Sequence, residues 1–121
     1  MLDTSGRNVL IVDDNEQIRK LLSDFFSFYG FETIAACNGK EALVILENKT
    51  CNLLITDLNM PVMSGIELVV KIRSLNISLP IIGMSFDDKK SEFLRAGADY
   101  FLSKPFSFHH LKFILYSLFR K

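Results

Sequence analysis

The chain has no surplus of charge. Fourteen basic residues offset fourteen acidic ones over 121 residues, so no net positive field draws it onto nucleic acid or an anionic membrane surface. No direct nucleic-acid or membrane partner is expected. Long apolar runs are also missing: none approaches the roughly 20 residues of a bilayer span, and the opening MLDTSGRN has no apolar signal core. A cytoplasmic setting is the expectation. Cysteine is scarce. Cys37 and Cys51 are the two present, with no CxxC spacing and no histidine close by, and both read as reduced structural thiols. With no internal repeat and no low-complexity segment, the length suits one domain with one core. Residues 1–7 read as an N-terminal extension and 8–121 as that domain.

What is present alternates between strand and helix. Val9 to Val12 is a continuous aliphatic run, as in a central parallel strand buried on both faces. Asn15 can cap a helix whose inward positions are Ile18, Leu21, Leu22, Phe25, Phe26 and Tyr29, and Gly30 supplies its stop. Phe31 to Ala36 is a less apolar strand, suited to a sheet edge. Gly39 to Glu47 reads as a helix with Ala42, Leu43 and Leu46 inward, and Leu53 to Thr56 as a third strand. After the Asn59-Met60-Pro61 loop, Ser64 and Glu67 make a capping box for a helix running to about Leu75. Ile81 to Met84 is a fourth strand, about Lys89 to Ala96 a short helix, Tyr100 to Leu102 a fifth strand, and Ser107 can cap a last helix. Five βα units in succession predict an α/β fold, an open parallel sheet with helices on both faces.

In such a sheet the polar residues that end each apolar run meet at one edge. Asp13 and Asp14 follow VLIV, Asp57 follows LLIT, Ser85 follows IIGM, and Lys104-Pro105 follows YFLS. Three carboxylates that close repel one another and call for a hard cation, and Mg²⁺ suits oxygen ligands combined with waters and a phosphate oxygen. Lys104 adds a fixed positive charge. Taken singly, these residues have ordinary uses: Asp14 and Asn15 at a helix cap, Asp57 in a turn, Lys104 in a solvated loop. Their convergence is what argues for a site.

The segments VLIVDDN, LLITDLNMP, PIIGMS and YFLSKPF resemble, in order and spacing, the receiver domain of bacterial two-component response regulators. The resemblance covers nearly the whole chain. It implies a flavodoxin-like (βα)5 fold with strand order 2-1-3-4-5. Asp57 is then expected to be the phosphoacceptor, attacking a phosphohistidine on a partner histidine kinase to form an acyl phosphate. Asp14 resembles the metal-binding acid, Asp13 binds metal directly or through water, and Asn59 offers its backbone carbonyl. Lys104 would pair with a phosphoryl oxygen, and its cis-prone bond to Pro105 would shape the loop. Ser85 is similar to the switch hydroxyl and Phe101 to the switch aromatic. Such a domain phosphorylates and dephosphorylates itself but turns over no external substrate, so it is not counted an enzyme. It signals to a downstream protein or effector domain through a changed surface. The alternatives are a phosphorylation-independent module of the same fold and a Mg²⁺-dependent phosphohydrolase using Asp57.

The chain departs from the family in two places. Phe86 follows the switch serine where the family usually has a small residue; its ring either restricts access by water or by a phosphatase, which would prolong the phosphorylated state, or simply rotates outward. The stretch from Ser85 to Gly97 is short, leaving a fourth helix of about two turns on the usual output face. In the last helix Leu111, Ile114, Leu115 and Leu118 form the inward stripe. Phe113 and Tyr116 fall on the opposite side, flanked by Phe108 and Phe119, and read either as a docking or homodimer surface or as aromatics that pack on neighbouring side chains. His109 and His110 read as surface histidines, with no further metal ligands nearby.

Overall fold

A computed structural model describes residues 1–121. Strands β1 (Asn8–Val12), β2 (Glu32–Ala36), β3 (Leu53–Asp57), β4 (Ile81–Ser85) and β5 (Tyr100–Ser103) alternate with helices α1 (Glu16–Phe28), α2 (Gly39–Asn48), α3 (Gly65–Ser74), α4 (Lys90–Ala96) and α5 (Phe108–Phe119). The five strands form one parallel sheet in the order β2-β1-β3-β4-β5. Every residue of β1, β3 and β4 is buried, as their unbroken apolar runs require of strands covered on both sides. β2 is more exposed and lies at an edge.

Each face of the sheet carries its own core, 14 buried residues on either side, so the single core expected from chain length is divided in two by the sheet. On one, Leu22 and Phe26 of α1 and Leu111, Ile114 and Leu115 of α5 cover Val9, Ile11, Leu53 and Ile55. On the other, Leu68, Val69 and Ile72 of α3, Ala42 of α2 and Phe93 of α4 cover Leu10, Val12, Leu54 and Ile81. Helix starts follow their cap residues. The side chains of Asn15, Asn38, Ser64 and Ser107 each accept a backbone N–H in the first turn, and Ser64 and Glu67 close the capping box.

The seven-residue α4 has no side-chain cap and ends at Gly97 in the left-handed conformation. Its anchor is Phe93, fully buried over Gly83 of β4. A Cβ at Gly83 would lie 2.4 Å from the Phe93 ring. The missing side chain in the strand is therefore the socket for the ring.

Two further sequence expectations are corrected. Leu21 is 45% exposed. It lies about 100° round the helix from Leu22, beyond the stripe centred on Leu22 and Phe26. Phe119 does not flank an outer aromatic face. It is buried, edge-on to Phe31 at 5.3 Å and beneath the Arg7 guanidinium. The first residues close over that end of α5: Leu2 bridges antiparallel to Arg120, Asp3 N–H donates to Phe119 O at 2.8 Å, and Lys121 N–H donates to Met1 O at 3.2 Å. The Thr4 hydroxyl donates to Tyr29 O at 2.8 Å.

Candidate functional site

Register brings the strand ends level. Val12 pairs with Thr56, Asp57 with Met84, and Ser85 with Ser103, so the residues next in sequence emerge together at the C-terminal edge. Asp13 and Asp57 are both buried, Asp14 is exposed, and carboxylate oxygens of the three lie within 4.8 Å of one another. Lys104 enters from the loop after β5. Its ammonium donates to Asp13 Oδ2 at 3.0 Å and Asp57 Oδ1 at 2.9 Å, with 6% of its side chain exposed.

The carboxylates are held from behind. Asp13 Oδ1 accepts the Asn15 N–H at 2.9 Å while Arg19 donates to the Asp13 carbonyl at 2.9 Å. The turn after Asp57 is closed by Gly65 N–H donating to Leu58 O at 2.8 Å, and a Cβ on Gly65 would sit 2.0 Å from the Asp57 carbonyl oxygen. No side chain fits there. The loop carrying Lys104 is tied to β4 by its own N–H, which donates to Ser85 O at 2.8 Å, and the Lys104-Pro105 peptide is cis. Buried Ser85 accepts the Asp87 N–H on its hydroxyl oxygen at 3.0 Å, which leaves the hydroxyl proton to be donated elsewhere.

Charge in this pocket is unbalanced, with two buried carboxylates facing one ammonium. Burial pushes the Asp57 carboxyl above its ordinary value; the Lys104 hydrogen bond opposes this and the nearby Asp13 charge adds to it. For Lys104, burial favours the neutral amine, but the hydrogen bonds and charges of Asp57 and Asp13 outweigh it and its value rises. The group is thus short of positive charge. An all-oxygen donor set with excess negative charge fits a hard divalent cation such as Mg²⁺.

The other expected residues lie around this centre. Asn59 is exposed in the loop two residues beyond Asp57. Phe101 is half-buried against α4, its ring 5.9 Å from that of Phe93, whereas Tyr100 packs on the opposite face. Phe86 is 73% exposed, and the Lys104 ammonium lies 5.5 Å from its ring centroid. Phe113 is 62% exposed and Tyr116 half-buried, on the outer side of α5 away from the cluster. His109 and His110 are exposed in the first turn of α5, and both cysteines are free thiols. Arg19 and Gly65 had not been singled out from sequence. Gly65 carried a usable signal, a glycine directly after a cap serine.

Comparison with known proteins agrees with this geometry. The family model for the response regulator receiver domain matches residues 9–115. The sensor histidine kinase RcsC of Salmonella typhi is 35% identical over 107 residues, 86% of this chain and 11% of RcsC. The receiver domain of Francisella response regulator 1452 superposes with a TM-score of 0.88 at 34% identity, covering 93% of this chain and 96% of that one. The response regulator TrrA of Thermotoga maritima, solved in complex with Mg²⁺-BeF, gives 0.85 at 33% identity, covering 93% and 98%. The chain spans 11–50% of the length of the curated relatives that it first matches. No helix is long and apolar enough to cross a membrane. Because the family match runs from β1 well into α5 and leaves out only the two ends, the chain belongs to the response regulator receiver domain family.

Proposed function

We propose that this receiver domain takes a phosphoryl group onto Asp57 from a phosphohistidine of a partner histidine kinase. An Asp57 carboxylate oxygen attacks phosphorus, the phosphorus–nitrogen bond breaks, and the imidazole leaves with the bond's electron pair. The observation that carries this reading is the Lys104 ammonium held at 2.9 Å from Asp57 and 3.0 Å from Asp13, inside a cluster of three carboxylates.

Phosphoryl transfer asks the protein for positioning and charge compensation more than covalent help. Asp13, Asp14, Asp57 and the Asn59 backbone carbonyl would hold Mg²⁺, which when bound offsets the negative charge gathered by carboxylates and phosphoryl oxygens. Lys104 pairs with a phosphoryl oxygen. The Ser85 hydroxyl, with its proton unspent, donates to another. Phe101 follows Ser85 inward against α4, and the altered surface of α4, β5 and α5 is read by a downstream protein or effector domain. Phe113 and Tyr116 form part of that surface, available to such a partner or to a second copy of the chain. The reaction modifies the domain itself and turns over no external substrate, and the setting is cytoplasmic.

The test is the intact mass after incubation with Mg²⁺ and phosphoramidate. One phosphoryl adduct, absent in Asp57→Asn and in a chelated sample, is expected. A folded protein that gains none would overturn the assignment.

A further inference from the structure

Phe86 is the largest apolar side chain beside the acid cluster, and packing does not account for its position. The residue is 73% exposed, which forgoes most of what burying a phenylalanine contributes. Yet it follows Ser85 directly, a residue buried to 1% exposure, so its backbone cannot drift from the rim of the site. The underside of the ring faces the Lys104 ammonium, 5.5 Å from the centroid, within range of a cation–π attraction. Lys104 is in turn fixed by two carboxylates at 2.9 and 3.0 Å. The ring therefore has a seat: a cation that is itself immobile.

The second observation is how closed the pocket is. The side chains of Lys104, Asp13 and Asp57 are 6%, 1% and 10% exposed, although all three sit at the open edge of a sheet and two are in or beside loops. Asp14, Asp87 and Asp88 on the same rim are exposed. No other large side chain approaches the Lys104 ammonium as an aromatic cover.

Building on the assignment of Asp57 as phosphoacceptor, we propose that Phe86 is a positioning and shielding residue, which clamps the Lys104 ammonium in the pocket and screens the acyl phosphate on Asp57 from water. The reaction it slows is hydrolysis. A water oxygen attacks phosphorus, the bond from phosphorus to the Asp57 oxygen breaks, Asp57 recovers its carboxylate, and inorganic phosphate leaves as the water gives up a proton to solvent. A ring over Lys104 occupies one flank of the phosphoryl group without touching Asp57. It also keeps Lys104 paired with its phosphoryl oxygen and out of reach of solvent, so that water does not enter along the lysine. The consequence for the domain is a long-lived signal.

Two measurements on wild type, Phe86→Ala and Phe86→Tyr test this. The first is loss of the phosphoryl adduct with time after the donor is removed, followed by intact mass. The second needs no phosphorylation: acylation of Lys104 by an amine-reactive acetate ester, read by peptide mapping. Phe86→Ala should lose its adduct about fivefold faster, the size of one lost cation–π contact. Its Lys104 should acylate severalfold faster while exposed lysines such as Lys40 keep their rates. Phe86→Tyr should restore both values. An unchanged lifetime in Phe86→Ala would overturn the shielding role, and unchanged acylation would overturn the clamp. If wild type accepts no phosphoryl group, the phosphoacceptor assignment fails on its own, and acylation still decides whether the ring covers Lys104.

Discussion

Lys104 and Asp13 are 91 positions apart in the chain and 3.0 Å apart in the structure. The contact spans four of the five strands at the sheet edge, joining the end of β1 to the loop after β5. The same ammonium serves Asp57, so one cation neutralises part of two buried charges that no other basic group reaches. Lys104→Met should lower metal-free stability by about 3 kcal/mol, the usual cost of leaving a buried charge without its partner. Urea denaturation measures it. Added Mg²⁺ should recover much of the loss, and a variant as stable as wild type without metal would show that the carboxylates are hydrated after all.

A pH dependence follows from Asp57. Its folded-state value is raised, chiefly by burial, so the folded domain holds this proton more tightly than the unfolded chain does. Ionised Asp57 therefore weakens the fold at neutral pH, and its contribution improves as pH falls through the raised value. Asp57→Asn should make the metal-free protein more stable at pH 7. That advantage should shrink on acidification, as denaturation midpoints across pH will reveal.

Mg²⁺ competes with the same proton. Its affinity by calorimetry should weaken on acidification at a pH above the 3.8 of an ordinary aspartate. A magnesium affinity flat down to that value would contradict the burial argument.

The contact between Gly83 and Phe93 invites a double-mutant cycle. Phe93→Ala empties a fully buried ring position and should cost about 3–4 kcal/mol, with α4 the first element to loosen. Gly83→Ala should cost about 1–3 kcal/mol, because its Cβ would fall 2.4 Å from the ring. Combined, the two should cost clearly less than their sum, since removing the ring vacates the space that the new methyl needs.

The parts legible in the sequence were those with a local cause. The buried runs in β1, β3 and β4, the caps at Asn15, Ser64 and Ser107, and the C-terminal edge where Asp13, Asp57 and Lys104 meet all follow from short patterns plus sheet topology. Leu21 was misplaced because helical periodicity gives a stripe but not its width, which here depends on what the sheet behind can cover. Phe119 was misplaced for a different reason. The residues that bury it, Phe31 and the segment from Leu2 to Arg7, are remote in sequence, and no pattern within α5 announces them. The roles of Arg19 and Gly65 also depend on backbone atoms that only the folded loops bring near.

Val62 occupies the left-handed region at φ 75°, in the loop between Asp57 and α3, with Met63 N–H donating to Pro61 O at 2.8 Å. A β-branched residue there costs about 1–2 kcal/mol, and little burial compensates because Val62 is 77% exposed. Val62→Gly should raise stability by about 1 kcal/mol. Val62→Ala should give no such gain, since alanine also carries a Cβ. Urea midpoints for the pair separate conformational strain from any effect of removing an apolar surface group.

The clasp formed by Leu2 with Arg120 and by Met1 with Lys121 places the first and last described residues side by side. A chain passing through this fold enters and leaves at one corner, so inserting the domain into a host protein would hardly separate the flanking residues. A few glycines could equally join residue 121 to residue 1 at small entropic cost. The polypeptide could then be reopened at a surface loop far from the acid cluster, giving a permuted protein with the same sheet order in space and a different order along the chain.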